Sequence, residues 1–206
     1  MSLVIGLCGN IGSGKSLVAQ LLKQMGAAVI DADLLSRTVA EEGCPAYYDI
    51  VAEFGTGILQ ADAAIDRAAL GRLIFADEQA RVTLNGIIHP YIKQAACRQI
   101  EAYRQSGCKI IVYEAALLLS NNDYNDILDE TWLVVAPREQ ISARLKARDG
   151  LDAEAVAKRL LAQLPPHKRI PLATRVICNN GSVEALRQQL LRFFDEINVK
   201  SSAEME

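Results

Sequence analysis

Disulfide and zinc signatures are missing from this chain. Its five cysteines, Cys8, Cys44, Cys97, Cys108 and Cys178, are odd in number and form no C-x-x-C pair. Neither a disulfide framework nor a structural zinc site is suggested, which fits a protein of the reducing cytoplasm. No apolar run approaches the ~20 residues that span a bilayer, and the first residues lack the basic flank and long apolar stretch of a secretory signal. Neither sign of charge dominates: 22 Lys and Arg stand against 25 Asp and Glu, a formal net charge of −3. That balance argues against electrostatic capture of nucleic acid or of an anionic membrane, so neither is expected as a partner. Internal repeats, low-complexity tracts and any signature of an oligomeric state are also missing.

Half of the 206 residues are hydrophobic, enough to bury a substantial core in one domain with insertions. The strongest local signal is Gly9-Asn10-Ile11-Gly12-Ser13-Gly14-Lys15-Ser16. It matches G-x-x-x-x-G-K-[ST], a loop whose glycines let backbone N–H groups converge on the phosphates of a nucleotide. Lys15 reaches the β/γ-phosphates and the Ser16 hydroxyl ligates Mg²⁺. Context agrees with the motif. Leu3 to Cys8 reads as a short buried strand, and Leu17, Val18, Leu21, Leu22 and Met25 recur at helical spacing until Gly26. The expected ligand is ATP with Mg²⁺.

Further strands are expected at Ala27–Asp31, Lys109–Glu114, Thr131–Ala136 and Arg175–Asn179. All are short, apolar and separated by helical patterns. Strands of this kind are covered on both faces, so the expected fold is α/β: a five-stranded parallel sheet flanked by helices. Residues 1–36, 108–136 and 173–200 would form this nucleotide-binding core. Residues 37–107, helix-rich without a clear strand, are too long for a crossover and read as an acceptor-binding subdomain. Residues 137–172 read as a lid over the transferring phosphate, and 201–206 as a disordered tail. Between Arg138 and Arg175, nine Arg and Lys residues stand against Glu139, Asp149, Asp152 and Glu154 alone, a local excess that reads either as a solvated helix face or as a site for a polyanion such as ATP.

Reaction class follows partly from further absences. None of the thirteen glycines has Asp three places before it, and N-K-x-D does not occur, so the GTPase signatures are missing. A motor ATPase would be larger. A small phosphotransferase is the better reading, with an ATP-binding protein that does not turn over as its rival. Asp31-Ala32-Asp33 closes the second strand, where open α/β sheets place ligands. Asp33 there can accept the proton of an attacking hydroxyl, or can simply cap the helix that follows. Alternation along the strand end would point the two carboxylates apart. Arg37, one turn on, can hold an anionic acceptor or pair with Asp33. Glu114 can join the Mg²⁺ shell or remain a strand-end carboxylate.

Taken in order, Gly9 to Ser16, Asp31-Ala32-Asp33-x-x-x-Arg37, Leu84-Asn85-x-x-x-His89-Pro90, Arg144-x-x-x-Arg148-Asp149, Gln163 and Val176-Ile177-Cys178-Asn179-Asn180-Gly181 form a series. This series resembles the dephospho-CoA kinases over nearly the whole chain. The resemblance implies phosphorylation of the ribose 3′-hydroxyl of dephospho-CoA by ATP, the last step of CoA biosynthesis, and makes 37–107 a CoA-binding subdomain. It implies Asp33 as base, Arg144 and Arg148 as partners of transition-state charge, and Asn179 and Asn180 near adenine. Arg37, His89, Leu117 and Leu118 would contact the acceptor. His89-Pro90 would start a helix, with Pro at its first position. The chain departs from the family pattern at Ala116-Leu117-Leu118-Leu119-Ser120, where P-L-L-x-E is common, and at Asn10, where a second Gly is usual. The alternative within the class is a nucleoside or nucleoside-monophosphate kinase.

Overall fold

The computed structural model describes residues 2–115, 118, 124 and 126–203, with side chains through residue 197. In chain order the main elements are β1 (Leu3–Gly9), α1 (Lys15–Gln24), β2 (Ala28–Asp31), α2 (Ala32–Val39), α3 (Pro45–Phe54), α4 (Arg67–Ala76) and α5 (Glu78–Gln105). They continue as β3 (Ile110–Glu114), β4 (Glu130–Val135), α6 (Arg138–Asp149), α7 (Ala153–Leu161), α8 (Pro166–Arg169), β5 (Arg175–Cys178) and α9 (Val183–Ala203). The chain divides into two compact units, Met1–Val29 with Ser106–Glu206, and Ile30–Gln105.

The expected five-stranded sheet is present, in the order β2-β3-β1-β4-β5. β1 lies parallel to β3 on one side and to β4 on the other, and β4 is parallel to β5. This order sends the chain outward in one direction after β1 and in the other after β3. The carboxyl end of β1 is therefore a switch point, where an open α/β sheet offers a ligand crevice. The apolar runs are buried as expected: Val4 to Gly9 of β1 and all of β3 are shielded from solvent. Ile5, Leu7, Val112, Trp132, Val134 and Ile177 pack with Val18, Leu21 and Leu22 of α1 and with Leu186, Leu190 and Ile197 of α9. Trp132 is fully buried, edge-on to Phe193, with the Arg175 guanidinium 5.9 Å from its ring and Glu130 accepting from its indole N–H.

In the second unit α2, α3 and α4 pack on α5. Its core holds Tyr47, Ile50, Ile58, Leu70 and Leu84. The Tyr47 hydroxyl donates to the Ala63 carbonyl at 2.6 Å, and that of Tyr91 to Asp49 at 2.5 Å.

Three expectations are corrected. Pro90 does not start a helix; α5 runs through it from Glu78 to Gln105. Proline removes one i→i−4 bond and presses on the carbonyl four residues back. Here that residue is Gly86, around which a side chain would meet nothing within 4 Å. The apolar stripe continues across the proline, with Leu84 before it and Ile92, Ala95, Ala96 and Ile100 after it all buried, so packing outweighs the local defect. Asp33 does not cap the helix that follows: α2 begins at Ala32, because the Asp31 carboxylate accepts from the amides of Asp33 and Leu34 as an N-cap. Finally, α9 continues to Ala203, since no Gly or Pro interrupts it. Residues 201–203, expected in the tail, are helical, and 204–206 lie outside the described residues.

Candidate active site

Within the first unit, β1 delivers the chain to residues 9–16 and α1 carries it away. Gly14 stands at the N-cap of α1 with φ 93°, a conformation L-residues with side chains rarely adopt, and no side chain caps the helix. The amides at the start of α1 find no acceptor among the described residues. Unpaired N–H groups at a helix N-terminus, with the positive end of the helix dipole behind them, form an anion site. A Cβ added to Gly14 would lie 2.0 Å from Asn179 Nδ2, and one on Gly9 2.5 Å from Ser13 Oγ and 2.9 Å from the Val134 carbonyl. The glycines are thus fixed by close approach as well as by backbone shape.

Three flanking elements hold the loop. Arg144 of α6, half-buried, donates to the carbonyls of Gly12 and Ser13 at 3.2 and 3.1 Å, and to Gln140 and the Asn179 carbonyl. Asn179, just past β5 and 3% exposed, donates from Nδ2 to the Ser13 carbonyl at 2.8 Å. These donors occupy the carbonyls of Gly12 and Ser13, and the amides of Ile11 and Ser13 are held by Gln163 and the Asn10 carbonyl, which leaves the amides that open α1 for an anion. Asn180 is exposed, and its carbonyl accepts from Gln140.

At the end of β3, Glu114 is buried and its Oε1 accepts from Lys15 Nζ at 2.7 Å and from Ser16 Oγ at 3.1 Å. The carboxylate left open by the sequence is therefore part of the site. Ser16 Oγ and the Glu114 carboxylate are hard oxygen donors of the type Mg²⁺ prefers. The cradle of amides and Lys15 suits polyphosphate. The residues present thus fit both groups.

One expected residue of the same unit, Arg148, does not join this cluster. Arg148 is exposed and paired with its neighbour Asp149 through Nε at 2.7 Å and Nη2 at 2.9 Å. The hydrogen bond from Arg148 lowers the Asp149 carboxyl below its usual range, and Arg159 of α7 joins the same carboxylate at 3.3 Å. Asp33 and Arg37 lie on α2 in the second unit, both exposed, with no ion pair between them among the described residues. His89 is half-buried on α5. Leu118 is buried, whereas Leu117 lies outside the described residues.

Sequence reasoning gave no role to several neighbours of the loop. Gln163 Oε1 accepts from the Ile11 amide at 3.0 Å, and Arg169 is buried and donates to Asn10 Oδ1. Asp129 accepts from the Val4 amide at 2.7 Å and so anchors the start of β1. Gln163 and Arg169 stand in the stretch whose basic excess was noticed, but nothing in that stretch distinguishes a buried Arg from a solvated one.

Known proteins share this sequence and this fold. Residues 3–185 match the sequence model of the dephospho-CoA kinase family. A dephospho-CoA kinase of Geobacter sulfurreducens is 45% identical over 187 residues, covering 91% of this chain and 94% of that protein. A crystal structure from Thermus thermophilus superposes with a TM-score of 0.79 at 32% identity, covering 95% of this chain and 97% of the other. The fold is shared with a dephospho-CoA kinase of Campylobacter jejuni, TM-score 0.63 at 24% identity, with 95% and 97% of the two chains covered.

Proposed function

The chain belongs to the dephospho-CoA kinase family, and from that membership we propose that it transfers the γ-phosphoryl group of ATP to the ribose 3′-hydroxyl of dephospho-CoA, yielding CoA and ADP. The observation that carries this reading is the loop of residues 9–16. The amides at its end, where α1 begins, open onto an anion site, and Arg144 and Asn179 hold the Ser13 carbonyl. Such a loop grips a polyphosphate.

In the step itself the 3′-oxygen forms a bond to the γ-phosphorus, the bond to the β–γ bridging oxygen breaks, and ADP leaves. The hydroxyl proton passes to the Asp33 carboxylate. Asp33 suits this task because Asp31 already caps α2, which leaves the Asp33 side chain exposed in the first turn. Lys15 and the loop amides bind the β/γ-phosphates. Ser16 and Glu114 would hold Mg²⁺, which when bound neutralises charge on the phosphate oxygens. Arg144 holds the loop, and Arg148 of the lid segment, residues 137–172, supplies positive charge to the transition state. Residues 37–107 receive the acceptor, with Arg37 toward its anionic groups and His89, Leu117 and Leu118 as further contacts. The free cysteines suit a reducing cytoplasm, and no helix among the described residues is long and apolar enough to cross a membrane.

Product formation from Mg-ATP with dephospho-CoA, AMP and adenosine as parallel acceptors tests the reading. CoA formation far faster than transfer to AMP or adenosine is expected. A preference for AMP or adenosine would move the protein to the nucleotide kinases.

A further inference from the structure

The segment that follows α7 reaches back to the first half of the phosphate loop. Gln163 Oε1 accepts from the Ile11 amide at 3.0 Å, the Leu164 carbonyl accepts from Asn10 Nδ2 at 3.4 Å, and the Arg169 guanidinium donates to Asn10 Oδ1. Asn10 is thereby held at both atoms of its amide. Its own carbonyl accepts from the Ser13 amide at 3.0 Å, closing the turn that sets the direction of the loop.

Arg169 is an unusual residue for this place. It ends a four-residue helix opened by Pro166, in a stretch whose other side chains are mostly exposed, yet it is only 3% exposed itself. Taking a guanidinium out of water costs several kcal/mol unless its donors are engaged. A hydrophobic residue would pack there at lower cost, so the position calls for a directional donor. Arg169 also lies against the Cys8 thiol at the end of β1. Burial pushes that thiol up to about 11, despite the opposing pull of the cation, so Cys8 is a neutral neighbour and does not compete as a counter-ion. The guanidinium donates to Asn10, a side chain of the phosphate loop itself.

We propose that Arg169 is a positioning residue for the phosphate loop: through Asn10 it fixes the turn that the Ser13 amide closes, and with Gln163 it ties the loop's grip on nucleotide to the carboxyl end of the lid segment. Arg144 and Asn179 hold the carbonyl of Ser13, and Arg169 holds the loop from the opposite end. The inference rests on the reading that this loop binds the phosphates of ATP. It does not depend on the identity of the acceptor.

The test is a double-mutant cycle on Arg169→Met and Asn10→Ala, with Arg169→Lys as the conservative variant. The readouts are the Kd for Mg-ATP by calorimetry without acceptor and the KM for each substrate. Arg169→Met should weaken Mg-ATP binding about tenfold, the size of one charge-assisted hydrogen bond, and leave the KM for dephospho-CoA within about twofold. Arg169→Lys should recover part of that loss. In the Asn10→Ala background Arg169→Met should add little, because the acceptor it orients is gone. Equal effects in both backgrounds, or a lowered melting temperature with an unchanged Kd, would overturn the proposal. Should Arg169→Met fail to fold, Asn10→Ala and Gln163→Leu must each weaken Mg-ATP binding, and wild-type Kd values in both would sink it. Wild-type protein that binds Mg-ATP without phosphorylating dephospho-CoA would strike the functional reading alone.

Discussion

Gly14 and Asn179 illustrate how little freedom single residues have around the phosphate loop. A methyl group on Gly14 would collide with the Asn179 amide and would require φ near 93° of an L-residue. Gly14→Ala should therefore cost about 1–2 kcal/mol in backbone strain alone and should abolish measurable Mg-ATP binding by calorimetry. Lys15 and Glu114 form a second pair, their side chains 15% and 10% exposed. Removing one partner leaves the other charge buried and uncompensated, a loss of about 3 kcal/mol or more. Lys15→Met should thus lower the melting temperature as well as activity. Adding Glu114→Gln should restore much of the stability and none of the turnover. Arg148→Ala should reduce kcat more than it weakens Mg-ATP binding; a loss confined to binding would contradict a role in the transition state. The thiols differ in the same local way. Cys178 is exposed and Cys8 is buried with its thiol pushed up to about 11, so a maleimide at neutral pH should label Cys178 first. Cys8 should react only after denaturation, which peptide mapping would read.

At the scale of elements, α6 and α7 share a small core of Ile141, Leu145 and Val156. Ile141 and Leu145 also stand where a side chain on Gly12 would go. Leu145 is fully buried, so Leu145→Ala should cost about 2–5 kcal/mol by cavity formation. It should also raise the KM for ATP, because Arg144 rides on the same helix. The pairing of Asp149 with Arg148 and Arg159 links the two helices through a carboxyl held below its usual range. A depressed carboxylate contributes above its unfolded pKa and is lost as pH falls through the folded one. The protection of amides over 138–161, corrected for the intrinsic pH dependence of exchange, should accordingly hold through the neutral range and fall only as acid takes the pH through the lowered Asp149 value.

Some elements were legible in the sequence and others were not. The strands of the sheet stood out because both faces are covered, which leaves short continuous apolar runs. The phosphate loop stood out because its glycines have a mechanical reason to be where they are. Pro90 misled because local propensity favours helix starts at proline, whereas the stripe from Leu84 to Ile100 holds α5 together across it. The Asp31 cap was hidden by its twin: two carboxylates two residues apart look equivalent until the helix start is known. Gln163 and Arg169 were invisible as loop partners because they lie some 150 residues from it, and no local pattern encodes such a contact.

For the whole molecule, ligand linkage makes a direct prediction. Mg-ATP that binds only the folded chain should raise the melting temperature, by an increment equivalent to about 2.7 kcal/mol at a hundredfold excess over Kd, and Gly14→Ala should remove that shift. Which unit responds can be read without labels. The chain has one tryptophan, and Trp132 is packed inside the sheet of the first unit, against Phe193 and under Arg175. The unit Ile30–Gln105 has none, but carries Tyr47, Tyr48, Tyr91 and Tyr103. Indole emission is therefore a spectroscopic monitor of the sheet, blind to the other unit, while near-ultraviolet tyrosine dichroism senses both. A melt followed by the two signals, coincident or staggered, would report whether the two units of this chain unfold together or separately.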